Sequence, residues 1–356
     1  MDSNVTIIFG AGATKACGGP LTKEILSEVF KEKNTIEREG YISLLQEFLV
    51  ENFHVSASGT LNESDFPALP LLLSLIDTAI DRKHAFGANW QTERLSRVRS
   101  ALEYAIFALL ELKLQRLTAN YYRQLFERLY GSDNSMPNAI SLNYDIIVDN
   151  AILSFAESVG LAECFPFYGC DISTDFYRGK NHFGNLFKIH GSLNWLYCPG
   201  CNRLDLGISE SGRRTVKVLN SLYIERSLEE HYSCQGIPCR DCSSNLMPVL
   251  ITPTHLKDYR NPHISQVWYN AEKTLRKSQR VIIIGYSLPE DDVDVIYLLK
   301  RGLAHLSAEN ITVVEYDNNQ RDISEHPVGL RYRTLFGNNF NWKTGGFEDW
   351  LNSYNQ

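Results

Sequence analysis

Four short stretches carry residues whose types suit work on a phosphate-bearing ligand. The first runs Gly10, Ala11, Gly12, Ala13, Thr14 and on to Gly18, Gly19 and Pro20, directly after the apolar run 5–9. Glycines there let the backbone turn sharply and approach a ligand closely, because they carry no Cβ. Where a strand enters such a turn and a helix leaves it, unpaired N–H groups converge on a place suited to phosphate. A tight strand-to-helix turn without any ligand reads the same way, and Lys15 interrupts the six-residue glycine fingerprint. The other three stretches are Asn143-Tyr144-Asp145, His190-Gly191-Ser192 and Gly285-Tyr286-Ser287, each following a short apolar run. Asp317 follows one more such run. An unperturbed imidazole titrates near neutrality, so His190 suits general-base work. The structural alternatives are strand-end capping for Asn143 and Asp145, and an imidazole that merely satisfies a loop for His190.

These residues need strands to bring them together. Val5 to Phe9 reads as a buried parallel strand, and Leu21, Ile25, Leu26, Val29 and Phe30 recur at helical spacing after it. Further strands are expected at 138–142, 186–189, 281–284 and 311–315, with helices from about 146 and about 291. Ligands of open α/β sheets bind outside the carboxyl ends of the strands, where each of the four stretches would lie. Residues 31–129 read as helices, with a stripe at Val98, Ala101, Leu102, Ala105, Ile106, Leu109 and Leu110, and a loop at 56–60. The expected organisation is a first βα unit at 1–30, a helical insertion at 31–129, the α/β domain resumed at 130–191, a cysteine module at 192–250 and the α/β domain completed at 251–356.

The cysteine module rests on Cys198-Pro199-Gly200-Cys201 and Cys239-Arg240-Asp241-Cys242. Four thiolates on paired turns suit tetrahedral zinc, and a stretch this poor in apolar residues needs a metal to fold. The gap between the pairs exceeds the roughly 15–20 residues of common ribbons. A redox role for one pair, or Cys234 in place of one ligand, stays open. Cys17, Cys164 and Cys170 show no pairing pattern and read as free, buried thiols.

Composition narrows the class. A 44% hydrophobic and 22% charged chain of 356 residues is ordinary for a soluble globular protein. Its net charge of −7 gives no global basic field for nucleic acid or an anionic membrane. Arg203, Arg213, Arg214 and Lys217 are local cations that a solvated loop explains as well as a nucleic-acid-binding ribbon. The early strand leaves no room for a cleavable signal, no apolar run is long enough to span a bilayer, and a cytoplasmic location is expected.

Taken in order, the stretches resemble the sirtuins, and within them the divergent sirtuin-like proteins of bacterial anti-phage defence. The sirtuin Gly-Ala-Gly-x-Ser and Gly-Ile-Pro motifs correspond to Gly10–Thr14 and Gly18–Pro20. The Thr-Gln-Asn-Ile-Asp motif corresponds to Ser141–Asp145, His-Gly to His190-Gly191, and Gly-Thr-Ser to Gly285–Ser287. The zinc knuckles follow the histidine, as they do in that family. The Phe-Arg after Gly-Ile-Pro is absent, with Thr22-Lys23 in its place. The Phe-Gly-Glu strand that pairs with an acyl-lysine peptide is replaced by the segment 248–259.

The resemblance implies a Rossmann-like parallel sheet of the sirtuin type, with a large helical insertion and a four-cysteine zinc ribbon. It implies NAD+ as substrate and structural Zn2+. It further implies Asp145 at the carboxamide, Asn143 beside the ribose and His190 as base. Gly10, Ala11, Gly12, Thr14, Pro20, Gly285 and Ser287 would hold the dinucleotide, and Asp317 the adenosine ribose. Cys198, Cys201, Cys239 and Cys242 would hold the metal. The activity implied is NAD+ hydrolysis; an NAD-dependent protein deacylase and a non-catalytic NAD or ADP-ribose sensor are the alternatives. Homo-oligomerisation and control by a second protein, a HerA-type ATPase or an Argonaute-like protein, belong to the same implication.

Overall fold

Val5–Phe9 forms β1, and all five of its side chains are buried. Even the polar Thr6 is accommodated, its hydroxyl lying 2.7 Å from that of Ser278. In this computed structural model, residues 4–38, 40–56, 61–131, 135–174, 177, 181–206, 238–250 and 261–354 are described. The later strands are Asn138–Ser141 (β2), Phe165–Phe167 (β3), His182–Lys188 (β4), Gly191–Tyr197 (β5), Leu204–Leu206 (β6), Met247–Leu250 (β7), Arg280–Ile284 (β8), Ile311–Val314 (β9) and Asn341–Lys343 (β10).

A seven-stranded sheet runs in the order β10-β9-β8-β1-β2-β4-β3, with every neighbouring pair parallel. After β1 the chain fills one side with β2, then β3 at the edge and β4 between them, and returns to lay β8 on the other flank of β1. That reversal opens a crevice at the carboxyl ends of β1 and its neighbours, the place where such sheets take ligands. β6, β5 and β7 form a separate antiparallel sheet. β4 feeds β5 through only Ile189 and His190, and Gly191 takes φ +81°, so the chain turns from one sheet into the other at the histidine.

The helices are Ala11–Ala16 (α1), Ile25–Lys31 (α2), Lys33–Ile36 (α3), Tyr41–Phe53 (α4), Leu69–Arg82 (α5), Thr92–Gln115 (α6), Tyr121–Leu129 (α7) and Ile147–Ser158 (α8). Pro262–Leu275 (α9), Val293–Gly302 (α10), Pro327–Phe336 (α11) and Gly346–Ser353 (α12) follow. The start of the first helix differs from the sequence expectation. α1 begins at Ala11 inside the glycine turn, and the stretch from Leu21 makes one 3-10 turn before α2. Glu24 causes that turn by accepting the Leu21 N–H at 2.8 Å while its carboxylate also meets Lys15. α6 is the spine of the helical block: its buried stripe receives α4 and α5, and the Tyr104 hydroxyl donates to Ile36 O at 2.6 Å. α7 instead lies against α8 and α12, on the sheet. Among the described residues, no helix is long and apolar enough to cross a membrane.

Cys17 and Cys170 are buried and Cys164 half-buried. Most of the loop at 56–60, Cys234, the cations Arg213, Arg214 and Lys217, and segment 248–259 beyond Leu250 lie outside the described residues.

The glycines at the sheet's switch point are there for each other. Gly285 has φ +63°, and a Cβ on it would stand 2.3 Å from the Ala13 nitrogen and 2.4 Å from the Gly12 carbonyl carbon. Gly285→Ala therefore combines a left-handed backbone position with a clash against immovable backbone. It should destabilise the fold by about 2–4 kcal/mol, read as a lower urea midpoint at unchanged m-value.

Candidate active site

The carboxyl ends of β1, β2, β4 and β8 surround one cavity of ≈ 680 Å³. Gly10, Ala11, Gly12, Thr14 and Pro20 line it from the first turn, and Gly285 and Ser287 from the turn after β8. Asn143, Asp145 and His190 line it from the ends of β2 and β4. Residues far apart in sequence are thus brought to a common wall.

Thr14 is the node of that wall. Its hydroxyl donates to Asp145 Oδ2 at 2.6 Å, so the Asn143 Nδ2 at 2.9 Å and the Tyr122 hydroxyl at 3.2 Å both donate to it. Asn143 Nδ2 gives its other hydrogen to Gly10 O at 2.9 Å. A carbonyl only accepts, which fixes the amide's orientation and leaves Asn143 Oδ1 as the acceptor for anything else. Asp145 Oδ1 takes the Ile147 N–H at 3.0 Å. Burial raises the Asp145 carboxyl above the ordinary range; Lys188, the Thr14 hydroxyl and the Ile147 N–H oppose that rise. Tyr122 is pushed far up by burial and stays a neutral donor.

His190 Nδ1 lies 3.1 Å from Leu142 O. The carbonyl again can only accept, so Nδ1 carries the hydrogen and Nε2 the basic lone pair. The Trp268 indole of α9 donates to Ile189 O at 2.7 Å and its ring stands 6.3 Å from the imidazole, bracing the turn.

Two sequence expectations need correction. The turn after β1 does not present a set of open N–H groups: Gly10 N–H donates to Ile284 O, Gly12 N–H to Gly285 O and Ala13 N–H to Gly10 O. Its glycines serve the contact with Gly285 as much as any approach to a ligand. Nor does the structure bring Asp317 to the cavity. Both its oxygens are held by Arg321, at 2.9 and 3.0 Å, and by backbone N–H groups of Asn319 and Arg321. β9 ends at Val314, one residue sooner than the apolar pattern suggests, so the acid at its carboxyl end is Glu315. Glu315 lines the cavity, burial raises its carboxyl, and its Oε2 has no hydrogen-bond partner among the described residues.

The sequence reading also missed Tyr122 and the far wall of the cavity. Glu63, Phe66, Pro67, Ala68, Leu69 and Pro70 close that side. Phe66 stacks on Phe30 at 5.4 Å, and Glu63 pairs with Lys23 at 3.1 Å. In the sequence this segment is marked locally only by Pro67 and Pro70.

At the far end of β5, Cys198, Cys201, Cys239 and Cys242 place their sulfurs within 4.8 Å of one another. The two knuckles repeat one turn. In each, the first cysteine's N–H bonds the carbonyl five residues on, and its own carbonyl takes the N–H four residues on. Asn202 (φ +60°) and Ser243 (φ +62°) occupy the same left-handed position. Tetrahedral zinc at about 2.3 Å from each sulfur separates sulfurs by roughly 3.8 Å; the pairs Cys198–Cys242 and Cys201–Cys239 stand at 3.4 and 3.7 Å. The set fits zinc, and four thiolates leave no open position for water, so the metal would be structural. Buried Arg203 docks the module, donating to Asp205 at 2.7 Å, to Asp241 and to Ser173 O at 3.0 Å.

No known family model matches this sequence, and no match to it was found among curated proteins. Solved structures of Sir2 enzymes align with it over nearly the whole chain at low identity. A structure from work on the mechanism and regulation of Sir2 enzymes has 12% identity and a TM-score of 0.42 over 99% of this chain and 91% of its own. A Sir2 homologue–NAD complex has 12% identity and a TM-score of 0.41 over 99% and 89%. A Sir2–p53 peptide–NAD+ structure has 12% identity and a TM-score of 0.43 over 98% and 90%. A likeness at this level assigns no chemistry, and the site stands on its own geometry.

Elemental analysis of native protein should find one zinc per chain, with Cys239→Ser losing it. Chelation should lower the melting temperature first, with any loss of function following the unfolding of the module. Native protein without zinc would remove this site.

Proposed function

We propose that the chain is a sirtuin-like NAD+ glycohydrolase, releasing nicotinamide and ADP-ribose and acting as an NAD-depleting effector of anti-phage defence. The observation that carries the reading is the convergence on one cavity of Asn143, Asp145 and His190 with the turns Gly10–Thr14 and Gly285–Ser287. Nicotinamide leaves a cationic ring as a neutral molecule, the C–N electron pair going to the ring nitrogen. The leaving group needs no general acid, unlike the sugars of ordinary glycoside hydrolysis.

In this reading Asp145 takes the N–H of the carboxamide. Its oxygens have lone pairs beyond those used by Thr14 and Ile147. Asn143 Oδ1 accepts from the ribose or the attacking water, and His190 Nε2 takes the water's proton as the oxocarbenium-like carbon is captured. Glu315, rather than Asp317, takes the hydroxyls of the adenosine ribose, following the general placement of acids at strand ends in dinucleotide folds. The segment 63–70, over the cavity and tied to Lys23, is where a regulatory partner such as a HerA-type ATPase or an Argonaute-like protein, or self-assembly, would act. An ungated NAD+ hydrolase would exhaust its own cell.

Purified protein mixed with NAD+ should release free nicotinamide, slowly alone and faster on assembly with its partner. His190→Ala should lower turnover by roughly 10²–10⁴-fold with the fold unchanged. Asn143→Ala should act on the same step, so the double variant loses far less than the product of the singles. No nicotinamide under any condition, or equal turnover of an acetylated peptide, would defeat the reading.

Glu315→Ala should weaken ADP-ribose binding by roughly tenfold, measured calorimetrically, while Asp317→Ala leaves affinity near that of the parent. The reverse order would restore Asp317 as the ribose residue.

A further inference from the structure

β4 pairs with β2 in the parallel sheet, where its neighbours Leu186 and Phe187 are buried. Lys188 sits in the same strand with its side chain 0% exposed. Its ammonium has three hydrogens, and three acceptors meet it: Asp149 Oδ2 at 2.9 Å, Tyr144 O at 3.4 Å and Asp145 O. Asp149, also 0% exposed, lies in the first turn of α8, and its Oδ1 takes the Tyr168 hydroxyl at 2.8 Å. A buried ion pair is poor at adding stability, because desolvation offsets its attraction, and apolar residues of similar volume often serve as well. What this pair does that apolar residues cannot is grip two carbonyls of the Asn143–Asp145 turn from the strand that delivers His190 two residues later.

We propose that Lys188 and Asp149 are positioning residues for this site: they lock the Asn143–Asp145 turn against His190 and supply the positive charge that Asp145 faces. The inference rests on the reading that Asp145 works as an anion. The groups around Asp145 are Thr14 and Cys17 from α1 and its end, Tyr122 from α7, Asp149 from α8, and Lys188 from β4 with His190 just beyond it. Cys17 and Tyr122 are held neutral by burial, Asp149 acts against ionisation of Asp145, and Lys188 acts for it.

Lys188→Met alone strands a buried carboxylate and risks the fold, so the main variant is Lys188→Met with Asp149→Leu, which removes both charges together. Nicotinamide release is followed against pH. Removing an opposite charge raises a carboxyl by roughly 1–3 units; losing Asp149 as well offsets part of that, so the acid limb of the profile should move up by less than this full amount. Asp149→Asn keeps Lys188 and removes a like charge, so its acid limb should move down. A purely structural role would not give shifts of opposite sign. Melting temperature against pH is a readout that needs no turnover. In the double variant the folded Asp145 pKa lies further above its unfolded value, so the folded chain holds more protons and loses stability as pH rises through that interval. Its melting temperature should fall relative to the parent as pH rises above the unfolded carboxyl value of about 4 and through the raised folded one. Acid limbs and melting profiles that coincide with the parent's would overturn the proposal. A parent that releases no nicotinamide at any pH would defeat the hydrolase reading, while the melting profiles would still decide the role of the pair.

Discussion

Between the carboxyl ends of β1 and β8 the first glycine turn and Gly285 lie backbone against backbone, with Gly12 N–H bonded to Gly285 O at 2.8 Å. A Cβ on Gly10 would meet that same carbonyl oxygen at 2.5 Å. No side chain stands between the two turns, so the strand ends are drawn together at the point where strand order reverses. The cavity is the space left outside this contact, and Thr14 and Ser287 reach it from the two sides of one seam. The seam is held from behind: the Tyr332 hydroxyl donates to Tyr286 O at 2.7 Å, and Arg331 reaches Ser287 O at 2.8 Å. The glycines set the geometry by being absent as side chains.

On that frame the polar residues satisfy one another before any ligand arrives. Asn143, Thr14, Asp145 and Tyr122 form a closed set of bonds, and each rotamer is fixed by its neighbours. A buried network of this kind is costly if one member is lost and rigid while it is whole. His190 is fixed differently, through the backbone on both sides: Leu142 O holds its ring and Trp268 holds the carbonyl before it.

What could be read from sequence was set by how local the signal was. Strand ends followed by Asn143–Asp145, His190-Gly191 and Gly285–Ser287 were legible, because a buried strand is a short apolar run and its end is marked by the change in residue type. The knuckles were legible from cysteine spacing alone. α1 was not, since Gly12 inside Ala11–Ala16 reads as a breaker until tertiary contact is known to favour it. β3, β6 and β10, each three residues long, carry too little pattern to register. The apolar pattern points to Asp317 because strand boundaries are its least reliable part, and a strand end one residue sooner makes Glu315 the first acid beyond it. Tyr122 and Lys188 gave no signal, because their roles exist only through partners 39 or more residues away.

The commitment of both Asn143 amide hydrogens to Gly10 O and Thr14 gives the wall a direction. Hydrogens point into the protein and lone pairs point out: Asn143 Oδ1, the Asp145 oxygens, His190 Nε2 and Glu315 Oε2 all accept. Such a surface grades ligands by what they donate and by their charge. In the proposed reaction it favours a pyridinium over the uncharged ring of the reduced dinucleotide. It also loosens its hold at the moment of bond cleavage, when the positive charge it attracts leaves the ring. Release of nicotinamide is then assisted by the same polarity that recruited its parent cation.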